Sequence, residues 1–213
     1  MAEPGMDTSV FPGLAAMAWL RANTNLTWTG FYLGPAPSHP QADWMPHRAA
    51  LREQGWGLAP LFVGQEASGL GSHVVTAGQG RLDGIRTAQL MVQAGFARRR
   101  YVYLDLETPD PETAYLQAWA FARSAAGYYP GVYCSHLIAA EVAALLPGAR
   151  IWAFRIAIEG EHPVSPPFSG AAPSGSTYPA AYAWQHDQNA VIECDGAPLV
   201  VDLSTALGDP ASP

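Results

Sequence analysis

Two carboxylates two residues apart, Asp105 and Glu107, are the residues of this chain best placed for chemistry. They end an alternating run that starts at Tyr101 and is followed by a turn-rich segment with Pro109 and Pro111. Residues two apart on a strand share a face, so both acids point the same way. The C-terminal end of a strand is where barrels and other α/β enzymes place their reacting groups. The pair therefore indicates acid–base chemistry, although a helix-capping acid beside a solvated acid would show the same spacing.

Two more acids lie near the ends of the chain, Asp7 after a short first strand and Asp202 in the last strand-like segment. In a closed barrel the first and last strands are neighbours, so both acids are expected at the rim that carries Asp105 and Glu107. Each alone has a simpler explanation, because Asp7 fits a helix N-cap and Asp202 fits the cap of a final turn. Carboxylates around one cavity repel one another, which raises the pKa of at least one of them. The four acids thus predict a proton donor beside an anion.

A proton donor beside an anion is what cleavage of a glycosidic bond requires. Glu107 has the longer side chain and lies nearest the rim, so it is the predicted acid, with Asp105 as its electrostatic or orienting partner. The spacing of the two residues allows both retaining and inverting geometries. The residues predicted to contact sugar are aromatic or amide side chains near strand ends: Tyr32, Tyr133, Trp152, Trp184 and Gln185. Burial in the core is the alternative for each aromatic residue.

Other chemistries have weaker support in the sequence. His186 and Asp187 could join the rim acids in an oxygen-rich site for Mg²⁺ or Ca²⁺. No His-x-His pair accompanies them, so no metal and no cofactor is predicted. Lysine is absent, which excludes a lysine Schiff base and a P-loop lysine. The sequence Gly-x-Ser-x-Gly does not occur either, so no nucleophilic serine of that type is indicated.

The elements that position these acids follow from alternating strand and helix patterns. Five βα units precede Arg150, and about three strands without crossover helices follow it, at residues 151–158, 180–186 and 191–203. This order predicts an α/β fold, a TIM-barrel-like (β/α) barrel in which one domain spans residues 1–213. The glycine-rich segment 64–80 is predicted to be a loop. The Pro, Ser and Gly-rich segment 163–179 is predicted to lie over the barrel mouth.

Composition narrows the function classes. The 213 residues are 49% hydrophobic, enough for a sizeable core, and carry a net charge of −7. The one basic run is Arg98-Arg-Arg100, so no nucleic-acid partner is expected. Cys134 and Cys194 are far apart, and Cys134 lies in an apolar run that favours a buried free thiol. No signal peptide or membrane-spanning segment is visible, and both cytoplasmic residence and export remain open.

Seven short motifs carry a family resemblance when they are taken in chain order. They are Gly5-Met-Asp-Thr-Ser9, Gly30-Phe-Tyr-Leu-Gly34, Gly80-Arg-Leu-Asp-Gly84, Tyr103-Leu-Asp-Leu-Glu107, Pro130-Gly-Val-Tyr-Cys-Ser135, Trp184-Gln185 and Val201-Asp202-Leu203. In this order the chain resembles the glycoside hydrolase-like TIM-barrel domains, a family of largely uncharacterised bacterial proteins distantly similar to family 25 lysozymes. The Asp-x-Glu strand end and the terminal aspartate are the most specific parts of the resemblance.

The resemblance implies a barrel of five βα units with a strand-rich end, and cleavage of the bond after N-acetylmuramic acid in peptidoglycan. It implies that Glu107 is the general acid, Asp105 its partner, and Asp7 and Asp202 accessory acids. The acetamido group of the substrate would then serve as an internal nucleophile. The leading hypothesis is a glycoside hydrolase whose partner is a β-linked amino-sugar polymer. The alternatives are a non-catalytic glycan-binding barrel and a metal-dependent hydrolase of phosphoester or acyl groups.

Overall fold

Nine strands form the centre of the fold in a computed structural model of the protein, which describes residues 2–66, 71–158 and 160–212. The strands are β1 (Glu3–Asp7), β2 (Trp28–Tyr32), β3 (Gly57–Val63), β4 (Tyr101–Leu106), β5 (Tyr129–Ser135), β6 (Arg150–Phe154), β7 (His162–Val164), β8 (Ala183–Cys194) and β9 (Ala197–Ala206). Eight of them close into a barrel in the order β1-β2-β3-β4-β5-β6-β8-β9, and β7 pairs with β8 outside the ring.

Five helices connect the first strands. They are α1 (Leu14–Asn23), α2 (Arg48–Glu53), α3 (Ala77–Gln93), α4 (Thr113–Ala125) and α5 (Ala139–Leu145). One helix follows each of β1 to β5, and no α-helix follows the later strands among the described residues. The prediction of a TIM-barrel-like α/β fold, with five βα units and a helix-poor end, is therefore confirmed.

The direction of the strands decides which ends meet. Strands β1 to β6 run parallel to their neighbours, so their C-terminal ends form one rim. Strand β9 is antiparallel to both β1 and β8, and this pairing closes the barrel. The middle of β9 therefore reaches the rim at which β1 ends.

The glycines of the Gly80-Arg-Leu-Asp-Gly84 motif let two helices approach closely. A Cβ on Gly80 would lie 2.3 Å from the backbone oxygen of Tyr115, and one on Gly84 would lie 2.4 Å from that of Trp119. Residues four apart share one face of a helix, so the motif forms a smooth strip on α3 against α4. The Trp119 indole donates a hydrogen bond to the Thr87 hydroxyl at 2.9 Å across the same contact.

The glycine-rich segment 64–80 is a loop only in its first part. Helix α3 begins at Ala77, because the Thr76 side chain caps it by accepting a hydrogen bond from the Gln79 amide at 3.2 Å. Residues 67–70 of this predicted loop lie outside the described residues.

The segment 163–179 contributes no residue to the lining of the cleft at the barrel mouth, so the prediction that it lies over the mouth is wrong. The Asn25 side chain exchanges two hydrogen bonds with the Phe168 backbone, at 2.9 and 2.7 Å. Asn25 precedes β2, which puts this contact at the end of the barrel opposite the rim. Further along, Gly175 packs against the Trp184 ring of β8. The segment, which includes a short 3₁₀ helix at Pro173–Ser176, packs against the outer face of the late strands.

The structure also describes the two cysteines and the character of the helices. Cys134 and Cys194 are both free and buried, which confirms the free thiol expected for Cys134. Burial raises the pKa of the Cys134 thiol to about 12. Among the helices of the described residues, none combines the length and the apolar character needed to cross a membrane.

Candidate active site

The barrel brings together the two acids from the ends of the chain. Asp7 is the last residue of β1, and Asp202 is its direct register partner on β9. Directly opposed residues of antiparallel strands have Cβ atoms roughly 5 Å apart. Closure of the ring thus makes close neighbours of two acids that are distant in sequence.

Asp105 and Glu107 belong to the same rim. Asp105 lies on β4 in register with Val63 of β3 and Tyr133 of β5, and Glu107 follows directly after the strand. All four acids line one open cleft of about 770 Å³. A narrow recess of about 30 Å³ continues beneath them, with Tyr133 and Trp152 among its lining residues.

The cleft walls come from loops above the rim. The connection from β2 to α2 contributes residues 37–41, and the connection from β3 to α3 contributes Glu66 and Gly71. Another part of the wall is formed by Asn189, Val200 and Val201 in the middle of β8 and β9. These walls flank the acids, which line the open cleft between them.

Asp105 is the most isolated acid of the cleft. Only 8% of its surface is exposed, and one of its carboxyl oxygens is buried without a hydrogen-bond partner among the described residues. Burial raises the pKa of Asp105 well above its usual value, and the charges of Glu107, Glu66 and Asp7 raise it further. The site therefore favours the uncharged form of Asp105 more strongly than water does.

Asp7 is also buried, but it has a hydrogen-bond donor. The Tyr32 hydroxyl donates to Asp7 at 2.9 Å. Burial and the neighbouring Asp202 charge raise the pKa of Asp7 well above its usual value, and the hydrogen bond from Tyr32 opposes them. The tyrosine orients this carboxyl group, and the other Asp7 oxygen is buried without a partner among the described residues.

Glu107 and Asp202 differ in their hydrogen bonds. The Glu107 side chain is exposed in the cleft, yet the surrounding walls displace enough water to raise its pKa, and Asp202 adds to the effect. Asp202 accepts hydrogen bonds from the Gln185 amide at 2.9 Å and from the Asn189 backbone at 2.8 Å. Burial still raises the pKa of Asp202, but both hydrogen bonds lower it. Of these two acids, Asp202 therefore has the hydrogen-bond donors that stabilise a carboxylate.

The side chains predicted to contact sugar occupy different places. Tyr32 lines the cleft, and Tyr133 lines the recess beneath it. Trp152 is fully buried at the floor, packs edge-on against Tyr133 at 5.2 Å, and donates to the Ser204 hydroxyl at 3.1 Å. Gln185 is buried and reaches the cleft through its hydrogen bond to Asp202.

Trp184 lies away from the cleft. Its neighbour Gln185 points into the barrel, so Trp184 faces outwards, where its indole donates to the Arg155 backbone oxygen at 3.2 Å. His186 packs against the Trp184 ring at 5.4 Å, and Asp187 lies 2.9 Å from His162. No three His, Cys, Asp or Glu side chains in the described part of the chain are arranged to hold a metal ion.

Sequence reasoning missed several residues of the cleft, among them Glu66 and His39. Glu66 follows β3 by three residues, a strand-end position like that of Glu107, but its glycine-rich surroundings obscured the signal. His39 is 6% exposed and packs against Tyr32 with ring centres 5.1 Å apart. No spacing pattern in the sequence indicated His39, because it lies in an irregular loop.

Gly30 makes room for Asp7, and this leads to a testable prediction. A Cβ on Gly30 would lie 2.6 Å from the Asp7 Cβ, an atom that no rotation of the aspartate side chain can move away. We expect Gly30→Ala to destabilise the fold by about 1–3 kcal/mol and to displace Asp7. Urea unfolding measures the loss. Gly78→Ala is the control, since its Cβ would meet nothing closer than 3.9 Å, and equal stability of the two variants would contradict the prediction.

Comparison with known proteins gives one family match. A family model described as Rv2525c-like, glycoside hydrolase-like domain matches residues 18–192. No curated protein sequence matches the chain.

Solved structures share the fold at low sequence identity. An uncharacterized protein of B. stearothermophilus has a TM-score of 0.67 at 18% identity, covering 98% of this chain and 99% of its own. The glycosyl hydrolase 25 GHIP of Streptococcus pneumoniae has a TM-score of 0.65 at 11% identity, with 96% and 86% covered. The lysozyme of Streptomyces coelicolor has a TM-score of 0.61 at 11% identity, with 98% and 94% covered. At such identities the likeness establishes the barrel fold.

Proposed function

Because the chain belongs to the Rv2525c-like glycoside hydrolase-like domain family, we propose that it hydrolyses β-linked amino-sugar polymers such as peptidoglycan, in the manner of a lysozyme. The observation that carries this proposal is the convergence of Asp7, Asp105, Glu107 and Asp202 on one open cleft. Burial raises the pKa of each of these acids, and repulsion by another acid of the set adds to the effect at Asp7, Asp105 and Glu107. Such a cleft supplies a proton and a negative charge within reach of one sugar ring.

Glu107 is the proposed general acid. Its carboxyl group is exposed in the cleft, so it can reach a glycosidic oxygen, and its raised pKa keeps the proton in place until it is needed. Transfer of this proton to the leaving oxygen lets the bond to the sugar carbon break, and the sugar then carries positive charge. Asp105 lies two residues before Glu107 at the end of β4, and the charge of Glu107 raises its pKa.

Asp202 is the proposed source of negative charge. The hydrogen bonds from Gln185 and Asn189 favour its carboxylate form, and it lies across the barrel from β4. A carboxylate in this position stabilises the positive sugar carbon, or orients a substrate acetamido group that attacks it. Asp7, fixed by Tyr32, orients Asp202 from the neighbouring strand.

Incubation of the protein with purified peptidoglycan and with soluble chitin oligosaccharides tests the proposal. We expect new reducing ends, and mass spectrometry of the products should identify the sugar at each new end. EDTA should leave the rate unchanged, since the proposed step uses only protein carboxyl groups. Saturable binding without any cleavage would instead indicate a non-catalytic glycan-binding barrel. Loss of cleavage in EDTA would favour a metal-dependent hydrolase.

A further inference from the structure

A fifth carboxylate, Glu66, stands beside the four proposed catalytic acids. Glu66 follows β3 and Glu107 follows β4, and these strands are paired with Val63 opposite Asp105. Neighbouring strands are roughly 4.8 Å apart, so the two glutamates rise from adjacent positions of the rim. Burial raises the pKa of Glu66, and the charge of Glu107 raises it further. Glu66 therefore faces the space next to the bond that Glu107 would protonate.

The wall that carries Glu66 is held firmly. The neighbouring Gln65 is buried and donates to the Asp83 carboxylate at 2.9 Å, and the Val74 amide donates to Gln65 at 2.9 Å. The Tyr115 hydroxyl donates to the same Asp83 oxygen at 2.9 Å. The Glu66 amide itself donates to the Ser72 backbone oxygen at 2.8 Å. These bonds fix the backbone at Glu66 and prepare its carboxylate for a ligand.

The charged side chains that line the cleft are all acidic. Five carboxylates line it, no arginine is among its described lining residues, and the chain has no lysine. His39 adds no positive charge near neutral pH, because burial lowers its pKa. Asp105, which lines the cleft, is buried, and one of its oxygens has no hydrogen-bond partner among the described residues. A cationic group on the ligand would complement these walls.

From this charge pattern we infer that the preferred substrate is a partly de-N-acetylated amino-sugar polymer, in which the free ammonium group of a glucosamine unit pairs with Glu66. The inference rests on the proposed function and names the substrate class of the same cleft. Fully acetylated glycans are neutral, so they lack the group that Glu66 attracts. The unit that is cleaved keeps its acetamido group, and the adjacent unit supplies the ammonium.

Binding measurements with the Glu107→Gln variant test the inference, because this variant should bind the oligosaccharides without cleaving them. Isothermal titration compares the N-acetylglucosamine hexamer with the same hexamer carrying one de-N-acetylated unit. We expect the hexamer with the free ammonium group to bind roughly fivefold more tightly, as for one ion pair formed at a partly exposed site. The preference should shrink as salt is added, because dissolved ions screen the attraction. Adding Glu66→Gln should remove most of the preference.

Glu53→Gln is the matched control, because Glu53 is exposed at the end of α2 and does not line the cleft. It should keep the full preference, and thermal unfolding should verify that every variant is folded. Equal binding of both hexamers, or a preference that survives Glu66→Gln, would overturn the inference. Cleavage of acetylated glycans together with equal binding would leave the proposed function standing and remove only this inference. A binding preference without any cleavage would contradict the proposed function and leave the binding of the ammonium group by Glu66 standing.

Discussion

Glu107→Gln is expected to lower the rate of glycan cleavage by roughly a thousandfold, the usual contribution of a general acid. Glutamine has the size of glutamate and keeps its hydrogen-bonding reach, but it has no proton to give to the leaving oxygen. The Glu107 side chain is exposed in the cleft, so its replacement removes little packing. The rate of release of reducing ends should therefore fall, while the melting temperature and the affinity for glycan change little.

Glu112→Gln is the control for this experiment. Glu112 lies in the same connection from β4 to α4, but it does not line the cleft, so cleavage by this variant should match the original protein. A Glu107→Gln protein that still cleaves within a few fold of the original rate would disprove the assignment of Glu107. The proton would then have to come from another acid of the cleft.

Asp105→Asn is expected to produce the second large effect, a loss of cleavage of roughly a hundredfold together with a more stable protein. The carboxylate form of Asp105 is costly in the empty cleft, because it is buried and one oxygen has no partner. Replacing it with a neutral amide should raise the free energy of unfolding at neutral pH by about 1–2 kcal/mol. Asp105 would thus lower the free energy of unfolding while it increases the rate of cleavage.

The pH dependence of stability distinguishes this explanation from simple repacking. The pKa of Asp105 is raised in the folded state, so the unfolded chain releases the proton first as the pH rises. The original protein should therefore lose stability from mildly acidic pH towards neutral pH, and should be most stable while the carboxyl group is protonated in both states. Asp105→Asn should flatten this decline without abolishing it, because Asp7 contributes with the same sign.

Thermal unfolding between pH 4.5 and 8 measures the effect. Asp195→Asn, at an exposed turn outside the cleft, should leave the slope of the decline unchanged. If stability declined with pH equally steeply in the Asp105→Asn variant and in the original protein, ionisation of Asp105 would not reduce stability and the prediction would be wrong.

The parts of the site that sequence could predict depend on simple periodicity. Alternation along β4 was enough to pair Asp105 with Glu107, and the closure of a barrel was enough to bring Asp7 next to Asp202. Both arguments use only the direction and order of strands, which hydrophobic patterns reveal.

The parts that sequence could not predict depend on register and on loop contacts. Trp184 and Gln185 were equally good candidates, and the pairing of β8 decides that the glutamine faces inwards. A one-residue difference in register exchanges the two faces of a strand. Glu66 reaches the cleft because Gln65 binds Asp83, a contact across 18 residues that no local pattern announces. Side-chain hydrogen bonds of this kind determine the paths of the rim loops.

The position of β9 between β1 and β8 has a consequence for how the protein folds during its synthesis. A chain leaving the ribosome exposes Asp7, Asp105 and Glu107 long before Asp202 has been synthesised, and the ring stays open until its last strand docks. The two halves of the proposed catalytic centre therefore meet only in the finished molecule. Nascent or truncated chains lack both the closed barrel and its fourth acid, so a glycan-cutting activity would begin only at the completion of folding.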